Sequence, residues 1–394
     1  MNKKNTVDVV TDSQDLRDFC NRHSQARYIT VDTEFIREKT YWPKVCLIQI
    51  AGPGDTICID PLADELELGP LFDLLQNEKV LKVFHAARQD MEIFFHISGA
   101  LPKPVFDTQI AAMVCGYGDS VGYETLVAGL TGARIDKSSR FTDWSLRPLS
   151  AKQLSYAMSD VTHLRPVYEK LSAKLDATGR TSWLDAEMDV LTAEKTYDID
   201  PRAAYKRLKL KTKKARVMAI AREVAAWREL EAKTRNLPRP RILKDDQVVE
   251  IAHHAPTTVG DLARTRGLGR KLAEGKQGLG ILNAVQTALA MAEADCPPPP
   301  EKPDGPDGAG PAADLLKLLL KMVCREERVA QKLVASSAEI ALLSALGEKA
   351  NIPALNGWRR ALYGETALQL MRGEIGFAIR DGKIVRFPTD VQSH

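Results

Sequence analysis

The chain has 394 residues, 44% of them hydrophobic, more than one small core usually organises, so two or three domains are expected. No run approaches the roughly 20 apolar residues that span a bilayer, the polar start MNKKNTVDVVTDSQDL lacks a secretory apolar stretch, and Cys20, Cys46, Cys58, Cys115, Cys296 and Cys324 form no CxxC pair or zinc spacing; a reduced cytoplasmic protein without a membrane partner is the expectation. The net charge of +3 is uneven: residues 1–199 carry 22 Lys and Arg against 29 Asp and Glu, whereas residues 200–292 carry 20 against 9, so an acidic segment is followed by a basic one that is either simply a solvated helical surface or one that attracts a polyanion, RNA, DNA or an anionic protein, for the acidic segment to act on.

In chain order, Arg27 to Phe35, Val45 to Ala51, Thr56 to Ile59 and Val80 to Phe84 have strand length and strand composition. Leu66 to Leu75, Gln89 to Phe95, Thr108 to Val114 and Tyr123 to Leu130 have helical patterning. LSAKQLSYAMSDVTHLRPVYEKLSAKL predicts one long helix capped by Ser150, with Leu154, Ala157, Val161, Leu164, Tyr168, Leu171 and Leu175 at helical spacing. These elements make an α/β domain over residues 1–180.

From Trp183 onward strand signals vanish. Tyr205 to Leu210, Lys214 to Lys233, Asp245 to Ala252, Val259 to Ala263 and Ile281 to Ala294 predict a helical module over residues 205–294. GLGRKLAEGKQGLGIL lacks a preceding strand and the Walker spacing, so it reads as helix turns and excludes an ATP loop. CPPPPEKPDGPDGAGP marks a linker over residues 295–312, before a second helical module over residues 313–380.

Three short segments carry carboxylates. In YITVDTEF, strand periodicity sends Asp32 and Glu34 to one face and Thr33 to the other. Such a strand could merely turn its acidic side to water. Asp90, however, follows the strand LKVF just where ligands lie in open α/β sheets, and Tyr156 and Asp160 share one side of the long helix at a spacing of four. Four converging carboxylates fit two divalent cations, and hard oxygen donors select Mg²⁺ or Mn²⁺.

VDTEF, FHAARQD and YAMSD, with FDTQIAA and TDWSLRPLS around them, resemble the motifs of the ribonuclease D family, in the tyrosine-containing branch of the DEDD exonucleases. LPRPRILKDDQVVEIAHHAP resembles the opening of an HRDC domain, a helical nucleic-acid-binding module. The resemblance implies an α/β ribonuclease H-like nuclease domain followed by two all-α HRDC-like domains. It also implies 3′-to-5′ hydrolysis of RNA to 5′-nucleoside monophosphates with two metal ions, on RNA with a free 3′ end such as precursor tRNA, with no obligatory protein partner. The metal ligands it implies are Asp32, Glu34, Asp90 and Asp160. Asp32 would bridge both ions, Glu34 and Asp160 would chiefly hold the water-bearing one, Asp90 would help place the other, and Tyr156 would orient or help deprotonate the attacking water.

The alternatives are a 3′-5′ DNA exonuclease, since the carboxylates do not read a 2′-hydroxyl, and a non-catalytic RNA-binding or scaffold protein. Tyr41 with Trp42, in an exposed turn, could stack on bases, whereas Phe35 reads first as core packing; Gln109, Lys137, Arg140 and Arg147 could meet phosphates, the planar arginine donors fitting them best. His85, directly after a strand, reads as a supporting group.

Overall fold

A computed structural model describes residues 9–298 and 310–389. The first elements are β1 (Val9–Val10), α1 (Ser13–His23), β2 (Tyr28–Ile36), β3 (Lys44–Ala51), β4 (Thr56–Ile59), α2 (Gly69–Gln76), β5 (Leu81–Phe84), α3 (Arg88–Ser98) and β6 (Val105–Asp107). They are followed by α4 (Thr108–Val114), α5 (Tyr123–Thr131), α6 (Ala151–Thr178) and α7 (Asp185–Leu191). The six strands form one mixed sheet in the order β1-β4-β3-β2-β5-β6. β2 sits between its antiparallel partner β3 and its parallel partner β5.

The sheet is covered on both faces. Val31, Ile48 and Ile50 pack with Leu16, Leu71 and Phe94 on one side. On the other runs α6, where the Thr30 hydroxyl of β2 donates to the Val161 carbonyl at 2.8 Å. α6 starts where the sequence predicts, because Ser150 and Gln153 form a reciprocal capping box. Patterning alone did not disclose β1, α1 or β6. Asp12 nevertheless caps α1 by accepting from the Gln14 and Asp15 amides.

The helical module contains α8 (Ala215–Arg235), α9 (Arg239–Ile242), α10 (Asp245–His254), α11 (Val259–Ala263), α12 (Arg270–Glu274) and α13 (Lys276–Leu289). Its own core includes Val224, Ile251, Leu262 and Val285. The glycine-rich run makes the α12–α13 junction: a Cβ on Gly278 would lie 2.0 Å from the Ala273 carbonyl oxygen, so only glycine lets the two helices close. The expected helix over Tyr205 to Leu210 is instead a 3-10 turn at Pro201–Arg207, and the one expected from Ile281 begins earlier, at Lys276.

Of the expected linker, residues 299–309 lie outside the described residues. Beyond it come α14 (Pro311–Glu327), α15 (Gln331–Val334), α16 (Ser337–Leu346), α17 (Gly357–Arg359), α18 (Glu365–Met371), β7 (Ile375–Arg380) and β8 (Lys383–Pro388). The last two correct the expectation that no strand follows Trp183 and that the C-terminal part is all-α. Asp381 and Gly382, with φ of 51° and 69°, turn an antiparallel hairpin, and Asp-Gly between alternating apolar residues is a hairpin signal.

This last unit shares one core with the N-terminal α/β domain, in which Leu316, Leu319, Leu343 and Tyr363 join Ala111, Leu126, Leu164 and Leu171. The Ala330 amide donates to the Met113 carbonyl at 2.9 Å, Trp183 stacks on Trp358 at 4.2 Å, and Arg359 pairs with Glu187.

Candidate active site

Even-numbered residues of β2 face α6, and this brings Asp32 and Glu34 to Asp160. One carboxylate oxygen from each of the three lies within 4.8 Å of the others. Asp90 comes from the first turn of α3 and is outside that tight group, but it lines the same cavity, of about 530 Å³. Its carboxylate accepts from the Thr33 hydroxyl at 2.5 Å, from the opposite face of β2.

The loop that delivers Asp90 is fixed by Asp107. That carboxylate accepts from the Ala86 and Ala87 amides at 3.0 and 2.8 Å, and it also caps α4 through the Gln109 amide at 2.7 Å. Ala86 has φ of 58°, a left-handed turn that the double contact holds. FHAARQD and FDTQIAA, recognised separately in the sequence, are thus one structural unit.

Burial pushes the Asp32 carboxyl well above its usual range, and Asp160, Asp90 and Glu34 push it further. Glu34 rises to about 9 through burial, then Asp160 and Asp90, against an opposing pull from Arg140. Burial raises Asp90 to about 7 against the Thr33 hydrogen bond. It raises Asp160 to about 7 against a hydrogen bond from Tyr156 and the charge of Arg140. Four carboxyls so placed take up protons near neutral pH unless positive charge sits among them.

Tyr156 lines the cavity, and its phenol is held above the ordinary tyrosine value by burial and by Asp160, Glu34 and Asp32. It is therefore a neutral hydrogen-bonding group at physiological pH. Tyr123 donates to the Asp160 backbone carbonyl and fixes that turn of α6. His85 is held by Thr108, 2.9 Å from Nδ1, and burial lowers its pKa.

Several candidate substrate contacts are corrected. Arg147 is occupied by Asp60, with two contacts of 2.6 Å, and by the Cys46 carbonyl at 2.6 Å, so it braces the loop before α6 and is no phosphate contact. Tyr41 is buried and donates to Glu229 at 2.5 Å; Trp42 stacks on His96 at 4.2 Å, and Asn236 accepts from both backbone amides. The turn is a docking point for α8, which answers the open question of base stacking there: Tyr41 and Trp42 are already engaged. The Lys137 side chain lies outside the described residues. Phe35, Gln109 and Arg140 do line the cavity.

Residue-by-residue reading missed Phe141, which lines the cavity mouth with 91% exposure, the Arg140 guanidinium 5.3 Å from its ring centre. An aromatic residue inside the polar run KSSRFTD was the available signal.

Residues 7–176 match the family model of a 3′-5′ exonuclease and residues 217–285 that of the HRDC domain. Ribonuclease D of Nitrobacter hamburgensis is 47% identical over 380 residues, covering 96% of this chain and 99% of that protein. Ribonuclease D of Gluconacetobacter diazotrophicus is 45% identical, covering 96% of each. The crystal structure of Escherichia coli RNase D, described as an exoribonuclease involved in structured RNA processing, aligns with a TM-score of 0.79 and 28% identity, covering 95% of this chain and 99% of that one.

Proposed function

The chain belongs to the ribonuclease D family and is a 3′-5′ exoribonuclease, and from that premise we propose that it trims the 3′ ends of precursor tRNA with two divalent cations, Mg²⁺ or Mn²⁺. The observation that carries the proposal is the meeting of Asp32, Glu34 and Asp160 within 4.8 Å, with Asp90 in the same cavity. All donors are hard oxygens, and their raised proton affinities mark a site that calls for positive charge. Asp32, Glu34 and Asp160 would hold one cation, and Asp90 with Asp32 would help hold the second. Bound cations make a water nucleophilic at neutral pH and stabilise the charge on the leaving oxygen.

In the reaction, water oxygen bonds to phosphorus and the P–O3′ bond breaks, releasing a 5′-nucleoside monophosphate and a new 3′-hydroxyl. Tyr156 orients the attacking water by hydrogen bonding; a phenol held neutral is a poor proton acceptor, which favours orientation over deprotonation. Arg140 faces the carboxylates and, with Phe141, fits the phosphate and base of an entering 3′ end. The basic helical module suits the folded part of a tRNA-like substrate.

We also read residues 313–380 as a second HRDC-like unit. Its succession of a long helix, a four-residue helix and a capped ten-residue helix, α14 to α16, repeats that of α8 to α10. The cytoplasm is the compartment proposed, in keeping with six unpaired, buried thiols.

The test is product analysis on 5′-labelled precursor tRNA with a short 3′ extension, with matched linear RNA, DNA and circular RNA. Stepwise release of nucleoside monophosphates from the linear RNA and arrest at the acceptor stem are expected, and Asp160→Asn should abolish both. Cleavage of circular RNA, or a preference for DNA, would overturn the proposal.

A further inference from the structure

β3 reads KVCLIQIA, an apolar strand with one amide in it, and that residue, Gln49, is fully buried. Among the described residues, neither its side-chain nitrogen nor its oxygen has a hydrogen-bond partner. A buried unpaired amide is destabilising, whereas a hydrocarbon of the same shape at this position would carry no such cost. Such a group calls for an explanation.

Its location supplies one. Gln49 is the register partner of Asp32 in the β2–β3 ladder and of Cys58 in β3–β4. Residues directly opposite share a face, with Cβ atoms about 5 Å apart, so the Gln49 amide and the Asp32 carboxyl stand side by side beneath α6. The other two aspartates of the site each have a neutral hydroxyl donor: Thr33 for Asp90 and Tyr156 for Asp160. Among the described residues, Asp32 has the Thr33 backbone amide and no side-chain donor.

We infer that Gln49 is a positioning residue, whose carboxamide N–H donates to the Asp32 carboxylate when that group is ionised and holding a cation. The inference rests on the reading of Asp32 as a cation ligand. A neutral donor is the chemistry required there: it orients the carboxylate and favours ionisation, while a lysine or arginine would cancel the charge that attracts the cation.

The test uses full-length protein without RNA. Gln49→Met removes the amide at nearly constant volume, and Gln49→Leu serves as the second variant if Met fails to fold. Mn²⁺ binding is measured by titration calorimetry, and thermal unfolding is followed in chelator. The expected pair of results is a chelator-treated variant at least as stable as wild type and an Mn²⁺ dissociation constant raised about tenfold or more, the usual cost of losing a group that orients a metal ligand. A packing role alone predicts the reverse, lower stability with unchanged Mn²⁺ binding, and that result would overturn the inference. In an Asp32→Asn background the substitution should leave residual Mn²⁺ binding unchanged; a further loss there would show that Gln49 acts on another group. Wild-type protein that binds no Mn²⁺ would overturn the cation-site reading itself, whereas wild-type binding matched by Gln49→Met would overturn this inference alone.

Discussion

Replacing Asp160 with asparagine should make the cation-free protein more stable while abolishing its stabilisation by cations. The asparagine side chain keeps an oxygen able to accept from Tyr156 but removes one member of a group of carboxyls that repel each other. Burial is the larger cause of the rise in the Asp160 value from 3.8 to about 7. Because the folded value lies above the unfolded one, the folded state holds the proton more tightly. Stability is therefore lost as pH rises from about 4 to about 7 and stays constant above that. At about 1.4 kcal/mol per pH unit, the whole cost is on the order of 4 kcal/mol, an upper limit because Asp32 and Glu34 share the repulsion. Urea unfolding in chelator should thus show Asp160→Asn gaining on wild type, with the gap widening by up to about 2–3 kcal/mol between pH 5 and pH 8. With Mn²⁺ at 100 times its dissociation constant, wild type should gain about 2.7 kcal/mol and the variant far less. An Asp160→Asn protein less stable than wild type in chelator at pH 8, or equally stabilised by Mn²⁺, would refute the electrostatic reasoning.

Phe141→Ala should raise KM for unstructured RNA several-fold with little change in kcat, and Phe141→Trp should restore it, since base–aromatic stacking contributes about 1–3 kcal/mol; steady-state digestion of a labelled oligomer measures both. Tyr41→Ala leaves the buried Glu229 with Arg239 alone, which should loosen the basic module and flatten the salt dependence of affinity for a tailed hairpin, read by titration at several ionic strengths. Arg147→Met strips Asp60 of its bidentate partner and should cost about 2–3 kcal/mol in urea unfolding. The loss should be full at neutral pH and fade as pH falls through the Asp60 value, which Arg147 and the Leu62 amide hold below the ordinary carboxylate range.

The carboxylates were legible because their positions follow from local periodicity: alternate residues of a strand, and a four-residue step on a helix that Ser150 caps. The supporting groups were hidden because they act across long sequence separations. Asp107 reaches the Ala86 and Ala87 amides, and Arg147 reaches Asp60, 87 residues away. From its sequence neighbours an arginine in a polar loop is indistinguishable from a phosphate contact; only the fold shows that its donors are already taken. The Tyr41–Trp42 turn misled for the same reason, since its partners on α8 are nearly 200 residues on. The terminal hairpin is a different case: Asp381-Gly382 between alternating apolar residues was present in the sequence and was not read.

The two C-terminal modules meet the nuclease domain through chemically different surfaces, and this sets how each can take part in catalysis. The basic module meets the Tyr41–Trp42 turn through a small apolar cluster of Tyr41, Ala232 and Ile242, edged by hydrogen bonds from Tyr41 and Trp42 to Glu229 and Asn236. Small, partly polar contacts between domains permit relative movement. The last unit instead places Leu316, Leu319 and Tyr363 in the core that backs α6, the helix that carries Asp160 and Tyr156. Stripping it away would expose apolar surface on the far side of that helix, and a core opened in this way is expected to loosen the placement of both residues. Cutting the chain after residue 298 should therefore lower both thermal stability and hydrolysis of short RNA that needs no grip on a folded body. Retention of full activity on short RNA by a stably folded 1–298 fragment would show that α6 is held by the sheet alone.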